Sequence, residues 1–173
     1  MGDILTYFDE LTVAMTSLGS RTETIFIGQS VAYPGNAIYK TLSGVPMDKR
    51  IELPVAEDMQ MGMSIGLAML GKTVISIFPR MDFLLCAMNQ LVSHLDKNIY
   101  PLTGKVIIRT CIGATKPMYP GVQHCGDYTE ALRRLLCNTP VFRAITANGL
   151  ADWYIEKCQS GRNVIMVEEA DLY

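Results

Sequence analysis

Short apolar runs alternate with helical patterns along the whole chain, and this alternation constrains the fold more than any other feature. Residues 24–28 (TIFIG), 105–112 (KVIIRTCI) and 163–168 (NVIMVE) are apolar runs of strand length, and three more runs begin at Arg50, Thr73 and Val141. Helical spacing of apolar residues separates them, as in residues 4–18, 84–98, 128–137 and 148–159. Strands without polar alternation, joined by helical crossovers, indicate a parallel sheet covered on both faces. The sequence therefore predicts an α/β three-layer sandwich with a mostly parallel six-stranded sheet flanked by helices.

Composition narrows the class of protein. A chain of 173 residues, 49% of them hydrophobic, predicts a single domain over residues 1–173. The net charge of −2 and the lack of a Lys/Arg cluster argue against binding to nucleic acid or to an anionic membrane. No apolar run has the length of a spanning helix, and acids occupy the N-terminal segment where a signal peptide carries bases. Five scattered cysteines indicate reduced thiols, so we expect a cytoplasmic protein without a clustered metal site.

An acidic pair follows the strand that begins at Arg50. Pro54 marks the end of this strand, and Glu57 and Asp58 come directly before a helical pattern. Glu57 thus lies at the carboxyl end of a strand and in the first turn of a helix, where open α/β sheets place ligand-binding groups. The residues alone leave an alternative open, because an acid in the first turn of a helix is also favoured by the helix dipole.

The helix after Glu57 has an apolar stripe and a pair of glycines four residues apart. The stripe consists of Met59, Met63, Leu67 and Leu70. Gly62 and Gly66 lie on a second stripe, and glycine inside a helix costs up to about 1 kcal/mol relative to alanine. We expect something to approach this helix closely, either the sheet or another helix. Residues 66–73 (GLAMLGKT) also fit a phosphate-binding loop pattern, but they continue a helix into a strand instead of following a strand, which argues against nucleotide binding.

Two further candidates lie in turns that follow strands. His124 is in the loop of residues 113–126, which contains glycines and prolines and follows the strand of residues 105–112. Phe83 follows the strand that begins at Thr73, and its position alone is more typical of a core aromatic residue than of a residue that stacks on a ligand. His94, in the middle of a predicted helix, is expected to be a surface or structural residue.

These residues carry a resemblance to a known family. The segments FIGQSV, ELPVAEDMQMGMSIGLAMLGKTV, FPRMDFLLCAMNQLVSHLDK, KVIIRT and VQHC cover most of the chain. They resemble the pyrimidine-binding domain of thiamine-diphosphate enzymes, most closely the beta subunit of the decarboxylating component of 2-oxoacid dehydrogenases. The most specific part is the turn P-V-A-E ending at Glu57, followed by Gly62 and Gly66.

The resemblance implies roles for single residues. Glu57 is similar to the carboxyl group that hydrogen-bonds the cofactor pyrimidine and shifts its amine toward the imino form, which then acts as the internal base. A buried carboxyl suits such proton sharing better than a solvated one. Phe83 resembles the aromatic that stacks on the pyrimidine, and His124 resembles the active-site histidine near the substrate. Gly28 and Met81 are implied as further cofactor contacts.

The resemblance also implies a partner. No segment resembles the Gly-Asp-Gly and Asn motif that holds magnesium (Mg2+) and the diphosphate, and no C-terminal transketolase domain is expected. We therefore expect an alpha-type, diphosphate-binding subunit that binds most of the Mg2+, in a heterotetramer with two copies of this chain paired through the Gly62/Gly66 helix.

The expected activity is decarboxylation of a 2-oxoacid or transfer of a two-carbon unit. Where the family usually has His-Ser-Gln, this chain has His124 followed by Cys125 and Gly126. The alternative is a non-catalytic regulatory or relic subunit that retains the fold and the dimer interface.

Overall fold

Six strands form one sheet in which every neighbouring pair is parallel. The computed structural model describes residues 5–97, 99, 101–113, 115–116 and 118–173. The strand order is β2-β1-β3-β4-β6-β5. The strands are β1 (Thr24–Gly28), β2 (Arg50–Glu52), β3 (Thr73–Phe78), β4 (Lys105–Ile112), β5 (Val141–Ala144) and β6 (Val164–Glu169). The predicted six-stranded α/β fold is confirmed.

Helices cover both faces of this sheet. They are α1 (Tyr7–Gly19), α2 (Ala37–Lys40), α3 (Glu57–Met69), α4 (Met81–Leu84), α5 (Thr129–Leu135) and α6 (Leu150–Gln159). One apolar cluster joins α1, α2 and α6 to one face, and a second joins α3, α4 and α5 to the other. Alternate residues of the central strands enter the two clusters, as Ile107 and Ile108 do in β4. Burial on both faces is the physical reason why these strands lack polar alternation.

One charged pair lies inside this apolar core. The side chains of Arg109 on β4 and Glu168 on β6 are fully buried, and the Arg109 guanidinium donates two hydrogen bonds of 2.7 and 2.9 Å to the Glu168 carboxylate. Burial lowers the pKa of Arg109, and the neighbouring Glu168 charge raises it by more. Tyr173 also donates its hydroxyl hydrogen bond to Glu168. The opposite charges of Arg109 and Glu168 therefore cancel, and the pair adds no net charge to its surroundings.

The helix over residues 84–98 begins earlier than its apolar spacing predicts. It starts with α4 at Met81, continues through a 3-10 turn (Leu85–Ala87), and ends as a π-helix (Gln90–Asp96). The predicted end at residue 98 and the predicted start of the first helix at residue 4 lie outside the described residues. Within the described part of the chain, no helix has both the length and the apolar character needed to cross a membrane.

The face of α3 that packs on the sheet differs from the predicted apolar stripe. Its buried residues are Glu57, Gln60, Met61, Ser64, Ile65 and Ala68. Gln60 donates hydrogen bonds to Ser76 Oγ at 3.1 Å and to the Ile77 carbonyl at 2.9 Å, so polar groups form much of this contact. Met59, Met63 and Leu70 of the predicted stripe are exposed instead. The apolar contact with the sheet comes from Met61, Ile65 and Ala68.

Candidate active site at the carboxyl edge of the sheet

The chain reverses its direction of strand addition between β1 and β3. From β1 it moves outward to β2, and then returns across β1 to β3 on the other side. Such a switch point opens a crevice beyond the carboxyl ends of the two strands, where open α/β sheets bind ligands. Gly28, at the end of β1, lies between Glu52 of β2 and Ile77 of β3. The segments that carry Glu57, Phe83 and His124 all leave the sheet at this edge.

Glu57 is a buried carboxyl at the start of α3. It is 8% exposed although it is the first residue of the helix. Gln29, which directly follows β1, donates a hydrogen bond from Nε2 to Glu57 Oε1 at 3.3 Å. No other hydrogen bond engages the Glu57 carboxyl among the residues that the structure describes. An acid that served only the helix dipole would have no need of burial. A role of Glu57 in ligand binding remains a prediction.

The loop after β1 is fixed by Glu52, which sequence reasoning missed. The Glu52 carboxylate accepts backbone hydrogen bonds from Ser30, Val31 and Ala32 at 2.6, 2.8 and 2.7 Å. Ser30 adopts a left-handed conformation with φ 54°, which is uncommon for a residue other than glycine. The signal for Glu52 in the sequence was an acidic residue within the predicted strand that begins at Arg50, five residues before Glu57.

Phe83 and His124 are brought together as the sequence predicted for one site. Their ring centroids are 5.7 Å apart with an interplanar angle of 88°, an edge-to-face contact. Both residues are half-buried. The Nδ1 atom of His124 is buried and has no hydrogen-bond partner among the described residues. A buried imidazole nitrogen without a partner is costly unless a ligand or water satisfies it.

The His124 loop is attached to the start of α4 at two more points. Arg80 Nη1 donates a hydrogen bond to the His124 carbonyl at 2.8 Å. The Asp82 carboxylate accepts the backbone N–H of Gly126 at 3.1 Å. Arg80 and Phe83 therefore both contact His124, and Asp82 holds the loop two residues later. Arg80 was not predicted as a site residue, although it directly precedes the predicted Met81.

Gly126, which departs from the usual family pattern, has a steric reason to be glycine. A Cβ atom there would lie 2.5 Å from a ring carbon of Tyr128 and 2.6 Å from Asp82 Oδ1. Real Cβ atoms essentially never approach so closely, so a glutamine could not adopt this conformation without moving the loop. The Cys125-Gly126 pair is thus part of how this chain holds His124 against α4.

The other two predicted cofactor contacts lie deeper in the fold. Gly28 has φ +149°, and a Cβ there would lie 2.3 Å from the Ile77 carbonyl oxygen, so close strand packing requires glycine. Met81 is fully buried in the second apolar cluster, and its sulfur accepts the backbone N–H of Tyr128 at 3.0 Å. Any contact that these two residues make with a ligand remains a prediction.

This edge of the sheet offers groups that could hold a heteroaromatic cofactor but few that could hold a metal ion. It combines a buried carboxyl (Glu57), an aromatic ring (Phe83) and an imidazole with a free nitrogen (His124). Among the described residues, no group of three or more His, Cys, Asp or Glu side chains is arranged to hold a metal ion. All five cysteines are free thiols.

Comparisons with known proteins agree with this geometry. No protein-family model matches the chain. The chain is 24% identical over 148 residues to 2-oxoisovalerate dehydrogenase subunit beta of Bacillus subtilis (strain 168), covering 82% of this chain and 44% of that protein. A solved structure titled "Split gene transketolase, inactive beta4 tetramer" matches with a TM-score of 0.73 and 17% identity over 97% of this chain and 52% of its own. The resemblance predicted from the sequence is confirmed, and the chain spans about half the length of these two proteins.

Proposed function

We propose that this chain supplies the pyrimidine-binding part of a thiamine-diphosphate enzyme that decarboxylates a 2-oxoacid or transfers a two-carbon unit together with a partner subunit. The observation that carries the proposal is the burial of Glu57 at the β1/β3 switch point, with the Gln29 amide as its hydrogen-bond partner at 3.3 Å. The similarity to a 2-oxoisovalerate dehydrogenase beta subunit supports the class of chemistry.

The residues of this site fit such a cofactor. When bound, thiamine diphosphate supplies a carbon nucleophile that attacks the substrate carbonyl. Glu57 would share a proton with a ring nitrogen of the pyrimidine, and its low exposure keeps water from competing for that proton. Phe83 would provide a ring surface for stacking, which contributes on the order of 1 kcal/mol. His124 would present its imidazole toward the substrate, held in place by Phe83 and by Arg80 through its own carbonyl.

The partner that we propose is a diphosphate-binding, alpha-type subunit that binds most of the Mg2+. To bind Mg2+ by itself, the present chain would need clustered carboxylates. Among the described residues, no group of three or more His, Cys, Asp or Glu side chains is arranged to hold a metal ion. The related structure is titled an inactive tetramer of beta chains, which supports both self-association of this type of chain and the need for a second subunit. A cytoplasmic location remains a prediction.

The test is a single substitution in the complex with its partner. Glu57→Gln keeps the size of the side chain but weakens proton sharing, so we expect turnover to fall roughly 10²–10⁴-fold while the complex still assembles. The neighbouring Asp58 is exposed, and Asp58→Asn is a matched control that should retain turnover. Turnover would be measured with a panel of 2-oxoacids and sugar phosphates, and assembly by size-exclusion chromatography.

Full turnover in the Glu57→Gln complex would contradict the role of this carboxyl. A well-assembled wild-type complex without turnover of any tested substrate would instead favour the non-catalytic subunit.

A further inference from the structure

A cavity lies at the same edge of the sheet, beside the His124 loop. Its volume is about 350 Å³, which falls in the range of small-molecule sites. Pro79 and Arg80 enter it from the end of β3, Cys111 from the end of β4, and Ala170 from the end of β6. Met118 of the His124 loop forms part of its wall. The cavity is therefore built from the carboxyl ends of β3, β4 and β6, together with residues 35–38 and Tyr173.

The charged groups that line this cavity are both cations. They are Arg80 and Lys116, and no acidic side chain is among its described lining residues. The hydrogen bond from Arg80 Nη1 to the His124 carbonyl leaves the rest of the guanidinium uncommitted, since no ion pair engages it among the described residues. A half-buried guanidinium without a carboxylate partner is a group that gains from binding an anion.

The carboxylates close to the cavity are already engaged. Glu168 forms the buried pair with Arg109. Asp171 accepts hydrogen bonds from Thr115 N at 2.6 Å and from Lys116 N at 3.3 Å. Burial raises the pKa of Asp171, but these hydrogen bonds and the Lys116 charge lower it by more. No ion pair joins the Asp171 and Lys116 side chains in the described part of the chain.

The neutral wall of the cavity favours a small organic molecule over a bare inorganic ion. The Cys111 thiol donates a hydrogen bond to the Pro79 carbonyl at 2.7 Å, and burial raises the pKa of this thiol to about 12, so it stays uncharged. Ala170 and Met118 also line the cavity, which thus combines uncharged lining with the two cations. Carbon atoms can contact this wall while an anionic group meets Arg80.

We propose that Arg80 and Lys116 bind the anionic group of the substrate, a carboxylate or a phosphate, and so select acidic substrates. Arg80 connects the cavity with the His124 loop, because its side chain lines the cavity and donates a hydrogen bond to the His124 carbonyl. An anion bound by Arg80 would thus lie next to the loop that carries the imidazole. This inference rests on the proposed function for the reaction, whereas the site itself can be tested without cofactor or partner.

The test is anion binding by the isolated full chain, followed by NMR. The chain is titrated at low ionic strength with oxamate, an unreactive analogue of a 2-oxoacid, and separately with inorganic phosphate. We expect a saturable shift of the Arg80 Nε–H signal, assigned by its loss in Arg80→Ala. Arg80→Ala and Lys116→Ala should each weaken binding at least about tenfold. This affinity is measured from the backbone N–H signals of the residues that line the cavity, because Arg80→Ala lacks the Arg80 Nε–H signal. Tighter binding of oxamate identifies a carboxylate substrate, and tighter binding of phosphate identifies a phosphorylated one.

Arg134→Ala is the matched control, because Arg134 is an exposed arginine on α5 outside the cavity. It should change affinity by less than about twofold at matched ionic strength. If Arg80→Ala fails to fold, Lys116→Ala decides the question, since the Lys116 side chain is exposed. The proposal is overturned if neither anion gives a saturable shift, or if binding is unchanged in the cavity variants. Either result would leave the thiamine-diphosphate proposal standing.

Discussion

At the scale of single residues, the site depends on contacts that join segments far apart in the sequence. Asp82 holds Gly126 across 44 residues, and Glu52 holds Ser30 across 22. In each case a carboxylate accepts backbone N–H groups of a loop that would otherwise lack partners. Buried backbone donors are costly to leave unpaired, so these acids fix loop conformations that local sequence does not.

Gly126 gives the sharpest prediction at this scale. Gly126→Ala places a Cβ 2.5 Å from the Tyr128 ring and 2.6 Å from Asp82 Oδ1. Because the ring and the carboxylate belong to the anchor itself, relief of the clash should release the loop from Asp82. We expect the free energy of unfolding to fall by about 1–3 kcal/mol, measured by urea denaturation.

Cys125→Ser is the matched control for Gly126→Ala, because it restores the usual family residue at the adjacent position. Cys125 is half-buried, and a change that adds no bulk should stay within about 0.5 kcal/mol of the wild type. An unchanged free energy of unfolding in Gly126→Ala would mean that the loop is not held against Asp82 in solution.

Some residues of this candidate site could be predicted from the sequence, and others could not. Glu57 could be identified because its position, after a strand and before a helix, follows from local sequence, and its burial agrees with the expectation for a ligand-binding acid. Gln29, Glu52 and Arg80 could not be identified in this way. Their roles depend on which loops meet at the sheet edge, and that is set by strand order.

At the scale of elements, β1 and β4 have the bounds that their apolar runs predict, because burial on both faces makes the run and the strand coincide. The long helix after β3 begins three residues earlier than predicted, at Met81 instead of Leu84. Polar contacts of Asp82 with the His124 loop fill its first turn, and apolar periodicity does not register such contacts.

The outer face of α3 is the element with the clearest unexplained feature. Met59 and Met63 are 43% and 38% exposed, and Leu70 is 78% exposed. A Cβ at Gly66 would meet no atom within 4 Å, so packing within the chain does not explain this glycine. An apolar helix face with a glycine at its centre fits close approach of a second helix, as proposed for the pairing of two copies of this chain.

Gly66→Ala should have opposite effects on the stability of the chain and on the pairing of two copies. The isolated chain should become more stable by about 0.5–1 kcal/mol, because alanine is the better helix former and nothing is displaced. Pairing of two copies should weaken, since the added methyl group would hold the helices apart. Urea denaturation at low protein concentration measures the stability of the isolated chain. Sedimentation equilibrium measures the pairing of two copies.

Val13→Ala is the control for this experiment. Val13 is 47% exposed on α1, which covers the opposite face of the sheet, so its truncation should leave assembly unchanged. Assembly that is equally strong in Gly66→Ala and in the wild type would exclude close packing of α3 against its copy.

At the scale of the whole molecule, the groups that we propose for a pyrimidine ring and those that we propose for an acidic substrate lie at one edge of the sheet in the described chain. Glu57, Phe83 and His124 come from the ends of β2, β3 and β4, and the cation-lined cavity adds the end of β6. Side chains that could hold a divalent metal are not clustered among the described residues. The proposed partner would have to bring these groups to the same edge.

This division predicts how the cofactor binds to the chain and to the complex. With contacts to the pyrimidine alone, the chain should bind thiamine diphosphate with Mg2+ at least about a hundredfold more weakly than the complex, a difference of about 2.7 kcal/mol. Isothermal titration calorimetry of the chain, of the partner and of the complex measures all three affinities. Micromolar binding by the chain alone, together with turnover of a 2-oxoacid, would contradict a site shared between two subunits. Weak binding by each separate subunit and tight binding by the complex would instead require that both contribute contacts, because neither set of contacts alone could then account for the affinity.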